Sequence, residues 1–486
     1  MRLEHSYAQL PEMFHVSLVP QAWPAPRLVI FNHALAGELG ILSQGMDSQE
    51  LADIFSGNRL PEHAKPIAQA YAGHQFGHFT MLGDGRALLL GELVTSSGER
   101  VDIQFKGSGP TVFSRGGDGL AALGPMLREY IISEAMHALG IATTRSLAVV
   151  ATGVKVRRET FLDGAVLTRV ASSHLRVGTF QYAAARRDPQ ALRALVDYAL
   201  WRHAPELLQS ENKALALLEE VSRRQSRLIA QWLGVGFIHG VMNTDNMTIS
   251  GQTIDYGPCA FMDRYDPATV FSSIDHNGRY AFANQPAIAQ WNLARLAEAL
   301  LGQIDSDPDK AIKLAEPVVQ GFRQQFLDHW LSLMGRKVGI LQRRDQDAEL
   351  IQDLLEIMHK DRLDYTGTFV MLTDRVAMMV QGLDVQEDAQ WSAGMRQWIE
   401  RWQERVRHQD AELWEILSQM QTVNPVYIPR NHLVEAALQA ATNHGDLQPL
   451  HELLQVMSNP YFRQHGRQRY AETGPLDETY RTFCGT

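Results

Sequence analysis

Only two cysteines, Cys259 and Cys484, occur in the 486 residues. So few exclude a disulfide-built scaffold and fit a reducing, cytoplasmic compartment. No apolar run approaches the roughly 18 residues that suggest a membrane span, so no membrane partner is expected. The opening stretch, MRLEHSYAQLPEMF, lacks the apolar centre of a secretory signal. Basic residues are in deficit, with 45 Lys and Arg against 55 Asp and Glu and a net charge of −10. That balance argues against a global nucleic-acid binder but permits a local basic pocket. Internal repeats and low-complexity tracts are also missing. What is left has 45% apolar and 21% charged residues, the composition of a globular chain with a sizeable core.

The first third is rich in glycine and short apolar runs. RALLLGELV, VDIQF and SLAVVATGV read as strands bounded by glycine and polar turns. GPMLREYIISEAMHALGI reads as a helix. Pro125 suits its first turn, Leu127, Ile131, Ala135 and Leu139 recur at helical spacing, and Gly140 suits its end. After about residue 190 the pattern turns helical, first in LLEEVSRRQSRLIAQWLGVG and then in AIAQWNLARLAEALLGQI, DAELIQDLLEIMHK and NHLVEAALQAA. The expected division is a nucleotide-binding lobe over 1–180, a helical lobe over 181–470, and a polar, extended tail over 471–486.

The most informative stretch is IHGVMNTDNMTISGQTIDYGPC. Protein kinases carry H-R-D-L-x-x-x-N followed by D-F-G. His239 fills the His slot, Asn246 the metal-binding Asn slot, and Asp255-Tyr256-Gly257 the place of D-F-G. The catalytic Asp slot holds Val241. Asn246 and Asp255 offer hard oxygens of the kind Mg²⁺ accepts beside phosphate and water, and Asp245 adds a carboxylate.

Other segments fit a phosphate-handling site. In LGDGRALLLGE, Gly83 and Gly85 bracket Asp84 and precede Arg86; the same residues would also make a plain hairpin turn. Lys106 ends the strand VDIQFK, the place of the kinase Lys that pairs with phosphates and a helix Glu. Glu129 or Glu134 on the following helix would be its partner. In SRGGDGLAALG, Asp118 and Gly119 form either a capped solvent loop or a nucleotide contact. Arg169 and Arg176 would hold a polyphosphate if they converge, and are ordinary surface charges if they do not. His74 and His78 are four apart, but Gly73 and Gly77 disfavour the helix a metal pair needs, so a packing role is expected.

Together, AYAGHQFGHF, LGDGRA, FKGSGPTVFSRGGDG, LTRVASSHLRVGTF and HGVMNTDNMTISGQTIDYGP resemble the selenoprotein O family, the YdiU-like protein nucleotidyltransferases, over nearly the whole chain. The resemblance implies an α+β, protein-kinase-like bilobal fold with an extended, mainly helical C-terminal lobe. It implies transfer of AMP from ATP to Ser, Thr or Tyr hydroxyls of proteins, the enzyme itself included, with Mg²⁺ or Mn²⁺ and a nucleotide flipped relative to kinases. UMP transfer from UTP is a variant. It places nucleotide contacts at Gly83, Gly85, Arg86, Lys106, Asp118, Gly119, Arg169, Arg176 and Asp255. Metal ligation falls to Asn246 and Asp255, proton acceptance to Asp245, and support of Lys106 to Glu129. Two alternatives stand beside it: an ordinary kinase with a relocated base, disfavoured by Val241, and a silent nucleotide-binding scaffold, disfavoured by the retained Lys106, Asn246 and Asp255. Selenium-containing members carry selenium third from the C-terminus, where this chain has Cys484. Cys259 follows D-Y-G, so a redox switch through a Cys259–Cys484 disulfide is expected if the tail folds back to within about 7 Å.

Overall fold

The computed structural model describes residues 2–41, 45–383, 391–475 and 479–483. Strands dominate the first third and helices the rest, which is the α+β class expected. The strands of the first third are β1 (His15–Ser17), β2 (Arg27–Phe31), β3 (Ile67–Gln69), β4 (Ala72–Gln75), β5 (His78–Met81), β6 (Ala87–Val94), β7 (Arg100–Lys106), β8 (Arg145–Arg157) and β9 (Phe161–Ala171). Seven of them form an antiparallel sheet in the order β1-β3-β6-β7-β9-β8-β2, and β4 and β5 make a separate hairpin. The expected lobe boundary, residue 180, falls inside the helix Val177–Ala185. From Gln285 to Met457 the chain is mostly helical, with Trp398 and Trp402 among its largest buried side chains. Among the described residues, no helix is long and apolar enough to cross a membrane.

Strand β7 explains why the sheet carries a site. Successive side chains of a strand point to opposite faces. Ile103 and Phe105 enter an apolar cluster with Trp23, Leu51 and Phe55. Asp102, Gln104 and Lys106 point the other way and are buried too. Buried polar groups need partners, and neighbouring elements supply them. Arg169 on β9 lies directly across from Gln104. The helix Leu123–Ala138 packs Leu127, Ile131 and Ala135 into the core and brings Glu129, also buried, beneath the same face. Gly140, just past that helix, takes the left-handed conformation its C-terminus favours. Glu134 is turned elsewhere, onto Arg145 at 2.8 Å and Asn32 at 2.8 Å, so Glu129 is the acid that meets Lys106.

The helix Lys213–Gly234 leads into β10 (Phe237–Ile238), which pairs with β11 (Ala260–Phe261). Between the two lies the loop from His239 to Cys259. Residues 175–177 run beside it, with Val177 N donating to Met247 O at 2.9 Å and Ile249 N to Leu175 O at 3.0 Å. The β4–β5 hairpin closes over it from the other side. His74 N donates to Thr244 Oγ1 at 2.7 Å and Phe76 N to Asn243 Oδ1 at 3.0 Å.

This docking is close enough to demand glycine. A Cβ at Gly73 would fall 2.1 Å from Asp245 Oδ1, and one at Gly178 would fall 1.9 Å from the carbonyl oxygen of Ala72. Backbone cannot swing aside as a flexible side chain can. Gly178→Ala is therefore expected to wedge the helix Val177–Ala185 off the hairpin and cost about 2 kcal/mol or more, the scale of overpacking in a tight core. Urea unfolding of the purified variant measures it, and an unchanged midpoint would contradict the close contact.

Candidate active site

The segments singled out in the sequence converge on one cavity of about 460 Å³ between the sheet and the 239–259 loop. Gly83, Gly85, Arg86, Lys106, Asp118, Gly119, Arg169, Arg176, Asp245, Asn246 and Asp255 all line it. Glu129 stands behind them, buried, and holds Lys106.

Asp255 is the hub. Its Oδ1 accepts from Lys106 Nζ at 2.9 Å and from Arg169 Nη2 at 2.7 Å, and its Oδ2 accepts from Arg176 Nη1 at 2.7 Å. Glu129 takes the other side of the cluster, bonding Lys106 Nζ at 2.7 Å and Arg169 Nε at 2.8 Å. Burial alone would raise the Asp255 pKa, but Arg169, Lys106 and Arg176 outweigh it and hold the carboxyl well below its usual range. For Glu129 burial is likewise outweighed, by Arg169 and Lys106, so it also stays ionised. Asp255 has φ of 60°, a left-handed conformation uncommon outside glycine. Lys106, Arg169 and Arg176 thus outnumber the two firmly ionised acids bonded to them. Arg86 adds to the surplus, since its Nη1 is buried without a hydrogen-bond partner among the described residues. A cavity of this kind suits a polyphosphate.

The loop supplies different groups. His239 is buried, stacked on Trp232, with Nε2 at 2.8 Å from the carbonyl of Ile254, next to Asp255. Asn246 donates its amide nitrogen to Val241 O at 2.9 Å, which leaves its amide oxygen turned away as a free ligand. An amide oxygen and a carboxylate are the hard donors Mg²⁺ or Mn²⁺ takes beside phosphate oxygens, so these two residues fit a metal held partly by nucleotide. Among the described residues, no group of three or more His, Cys, Asp or Glu is arranged to bind one. His74 and His78 belong to the hairpin instead, where the His74 ring meets Gln181 at 2.8 Å and packs on Trp291.

Asp245 differs from Asp255 in kind. It is buried, and its Oδ1 has no hydrogen-bond partner among the described residues. Burial lifts its pKa to about 6; Arg176 opposes the shift and Asp255 adds to it. One carboxylate is thus clamped ionised and the other poised near neutrality, the usual way an acid–base group is set apart from a charge-binding one.

Several residues of the site escaped the sequence reading. Asp84 is buried in the glycine turn, accepts from Gln69 N at 3.2 Å and is pushed up to about 6 by burial against the pull of Arg176. Tyr71 lies under the Arg176 guanidinium at 4.7 Å. Asn243 ties the loop to the hairpin. Only Asp84 had a local signal, its place between two glycines; the rest are joined by contacts distant in sequence. Asp118 sits at the rim, pairing with Arg158 at 2.7 Å and accepting from Leu120 N at 2.9 Å. Cys259 is buried, and burial pushes its thiol up to about 12. Thr482 returns to bond Pro258 O at 2.7 Å, but Cys484, the expected disulfide partner, lies outside the described residues.

Residues 1–458 match the family described as protein adenylyltransferase SelO. The chain belongs to that family. It is 56% identical to the protein nucleotidyltransferase YdiU of Geobacillus kaustophilus, across 100% of this chain and 99% of the relative. The YdiU proteins of Nitrosococcus oceani (55%, across 99% and 97%) and Clostridium botulinum (54%, across 100% and 98%) are similar over the same extent. The SelO membership makes this cavity the candidate seat of nucleotidyl transfer.

A buried acid with raised proton affinity carries a stability cost at higher pH. Folded Asp245 binds its proton more tightly than the unfolded chain does, so its contribution is full below an unfolded pKa of about 4 and is lost as pH rises through about 6. Asp245→Asn is therefore expected to be more stable than the parent by about 2 kcal/mol near pH 8, with about half the gain gone near pH 5. Chemical unfolding at both values tests this, and a pH-independent difference would contradict the buried, proton-hungry carboxyl.

Proposed function

We propose that this protein transfers AMP from ATP to Ser, Thr or Tyr hydroxyls of proteins, its own included, in a protein-kinase-like bilobal frame. The observation that carries the reading is the division of labour between two carboxylates beside one cluster of cations. The nucleotide enters with its terminal phosphates among Lys106, Arg169 and Arg176, the reverse of the kinase arrangement. These residues exchange the Asp255 carboxylate for phosphate oxygens, and Asp255 is released to join Asn246 as a metal ligand. Mg²⁺ or Mn²⁺ held there supplies charge neutralisation at the phosphates when bound. Gly83, Gly85 and Arg86 form a turn tied down by Gly107 N donating to Arg86 O at 2.7 Å, which keeps it against the ligand.

The acceptor oxygen attacks the α-phosphorus in line. A new oxygen–phosphorus bond forms, the bond from the α-phosphorus to the α,β-bridging oxygen breaks, and pyrophosphate leaves with that electron pair. Asp245 takes the hydroxyl proton. The three cations stabilise the charge that gathers on the departing pyrophosphate, and they act in a buried site where charge is weakly screened. Val241 in the usual base slot supports this over transfer of the γ-phosphate.

ATP labelled at the α-phosphorus is expected to mark protein, while label at the γ-phosphorus leaves as pyrophosphate. Protein labelled only from the γ position would restore the ordinary kinase reading.

Asp245→Ala is expected to lower kcat by about 10²–10⁴-fold, the usual weight of a general base. Asp255→Ala and Lys106→Ala should abolish or cripple transfer while leaving the chain folded. In the parent protein, kcat/KM should fall as pH drops through about 6, where Asp245 takes up its proton. A flat profile across that range would remove Asp245 from the role.

A further inference from the structure

At the Asp245 end of the cavity one arginine is built into an aromatic setting without an acid to match it. Arg279 holds its guanidinium 4.9 Å from the centre of the Trp291 ring and 5.6 Å from that of Tyr280. Arg295 also stands 4.9 Å from Trp291, but it pairs with Glu298 at 2.7 Å. No carboxylate among the described residues pairs with the Arg279 side chain, and its Nε is buried without a hydrogen-bond partner. The acid nearest in sequence, Asp275, is engaged elsewhere. Its two oxygens accept from the backbone nitrogens of Arg279 and Tyr280, at 2.9 and 2.8 Å.

The position of Arg279 relative to the chemistry is fixed by contacts. The Tyr280 hydroxyl donates to Asn243 Oδ1 at 2.6 Å, the same oxygen that receives Phe76 N. The Phe76 and Tyr280 rings meet at 5.2 Å. Phe76, Asn243 and Ile274 line the cavity with Asp245, and Ile274 is 49% exposed at its rim. Arg279 therefore stands just outside the opening that leads to the candidate base. Charged or titratable groups nearby include His74, whose ring packs on Trp291 and feels the Arg279 charge, the exposed His78 and His276, and the paired Arg295 and Glu298. In a chain with a net charge of −10, this rim carries an uncompensated cation.

We infer that Arg279 recognises the carboxylate of an Asp or Glu flanking the acceptor hydroxyl in the protein substrate, which makes it a specificity-determining residue. This rests on the adenylyl-transfer reading above. Contact with Trp291 and Tyr280 holds the guanidinium in place, and a guanidinium so held can bind a carboxylate bidentately. Tryptophan, tyrosine and arginine together are also the residues that anchor protein interfaces.

The test uses the full-length protein, α-labelled ATP and synthetic peptides with one acceptor hydroxyl flanked by Glu, by Gln or by Lys. The parent protein should favour the Glu-flanked peptide over the Lys-flanked one by about tenfold or more in kcat/KM, as expected for a charge-assisted contact. Arg279→Gln should erase that preference through the peptide KM, Arg279→Glu should reverse it, and Arg279→Lys should keep part of it. ATP affinity, measured by calorimetry, should be the same in all four proteins, and their unfolding midpoints show whether each has folded. Equal use of Glu- and Lys-flanked peptides by the parent, or a preference that survives in Arg279→Glu, overturns the assignment of Arg279 alone. Failure to label any peptide from the α position while label enters from the γ position overturns the transfer reading and this inference with it.

Discussion

One carboxylate bonded to three cations organises the site. Asp255 meets Lys106, Arg169 and Arg176, and Glu129 braces two of the three from behind. Taking that many charges out of water is costly unless each finds a partner. The surrounding fold can be understood as the means of supplying them. Strand β7 must alternate so that Gln104 and Lys106 share a buried face. Strand β9 must hold register so that Arg169 stands opposite Gln104. The helix Leu123–Ala138 must turn an acid, Glu129, into an otherwise apolar interface. The backbone at Asp255 must accept a left-handed conformation to aim its carboxylate back at the sheet. The three cations outnumber the two acids bonded to them, so an anion can join the cluster. In that state the cations and Asp255 can part without leaving either unpaired.

The second carboxylate is made by the opposite means. Asp245 is isolated by close packing. The β4–β5 hairpin and the start of the helix Val177–Ala185 press against it through Gly73 and Gly178, where any side chain would collide with the loop or with backbone. Water and partners are kept from one of its oxygens, and burial raises its proton affinity. The AYAGHQFGHF segment, which looked like a metal motif in outline, thus serves chemistry indirectly. Its Gly73 is the small residue that lets the hairpin reach the 239–259 loop.

How much of this was legible in the sequence follows from the distance over which each feature is encoded. The alternation in VDIQFK, the helical spacing around Leu127, Ile131 and Ala135, and the order of His239, Asn246 and D-Y-G are local patterns, and each reappears where it was read. The cavity gathers every nucleotide, metal and proton-acceptor residue assigned through family resemblance, because those motifs are themselves contiguous. Features joined across more than a hundred residues were not legible. Phe76 meets Asn243 across 167 positions, and nothing in either segment names the other. Tyr71 beneath Arg176, 105 positions apart, is likewise a product of packing. The choice between Glu129 and Glu134 was open because both lie on one helix, and only the packed structure shows Glu134 already taken by Arg145 and Asn32.

The valine in the kinase base slot then has a positive explanation. Val241 is buried, and its carbonyl accepts from Asn246 Nδ2, so its backbone orients the Asn246 amide. Its side chain lines the cavity that Asp255 and Asp245 also line. An aspartate there would set a further acid among carboxylates that are already balanced. It would compete with the proposed polyphosphate for the cations, and raise the proton affinity of Asp245 further. Under the proposed transfer, with polyphosphate held by the cations and Asp245 as base, that slot has a physical reason to stay apolar. The missing carboxylate is therefore part of the charge balance on which the rest of the cavity depends.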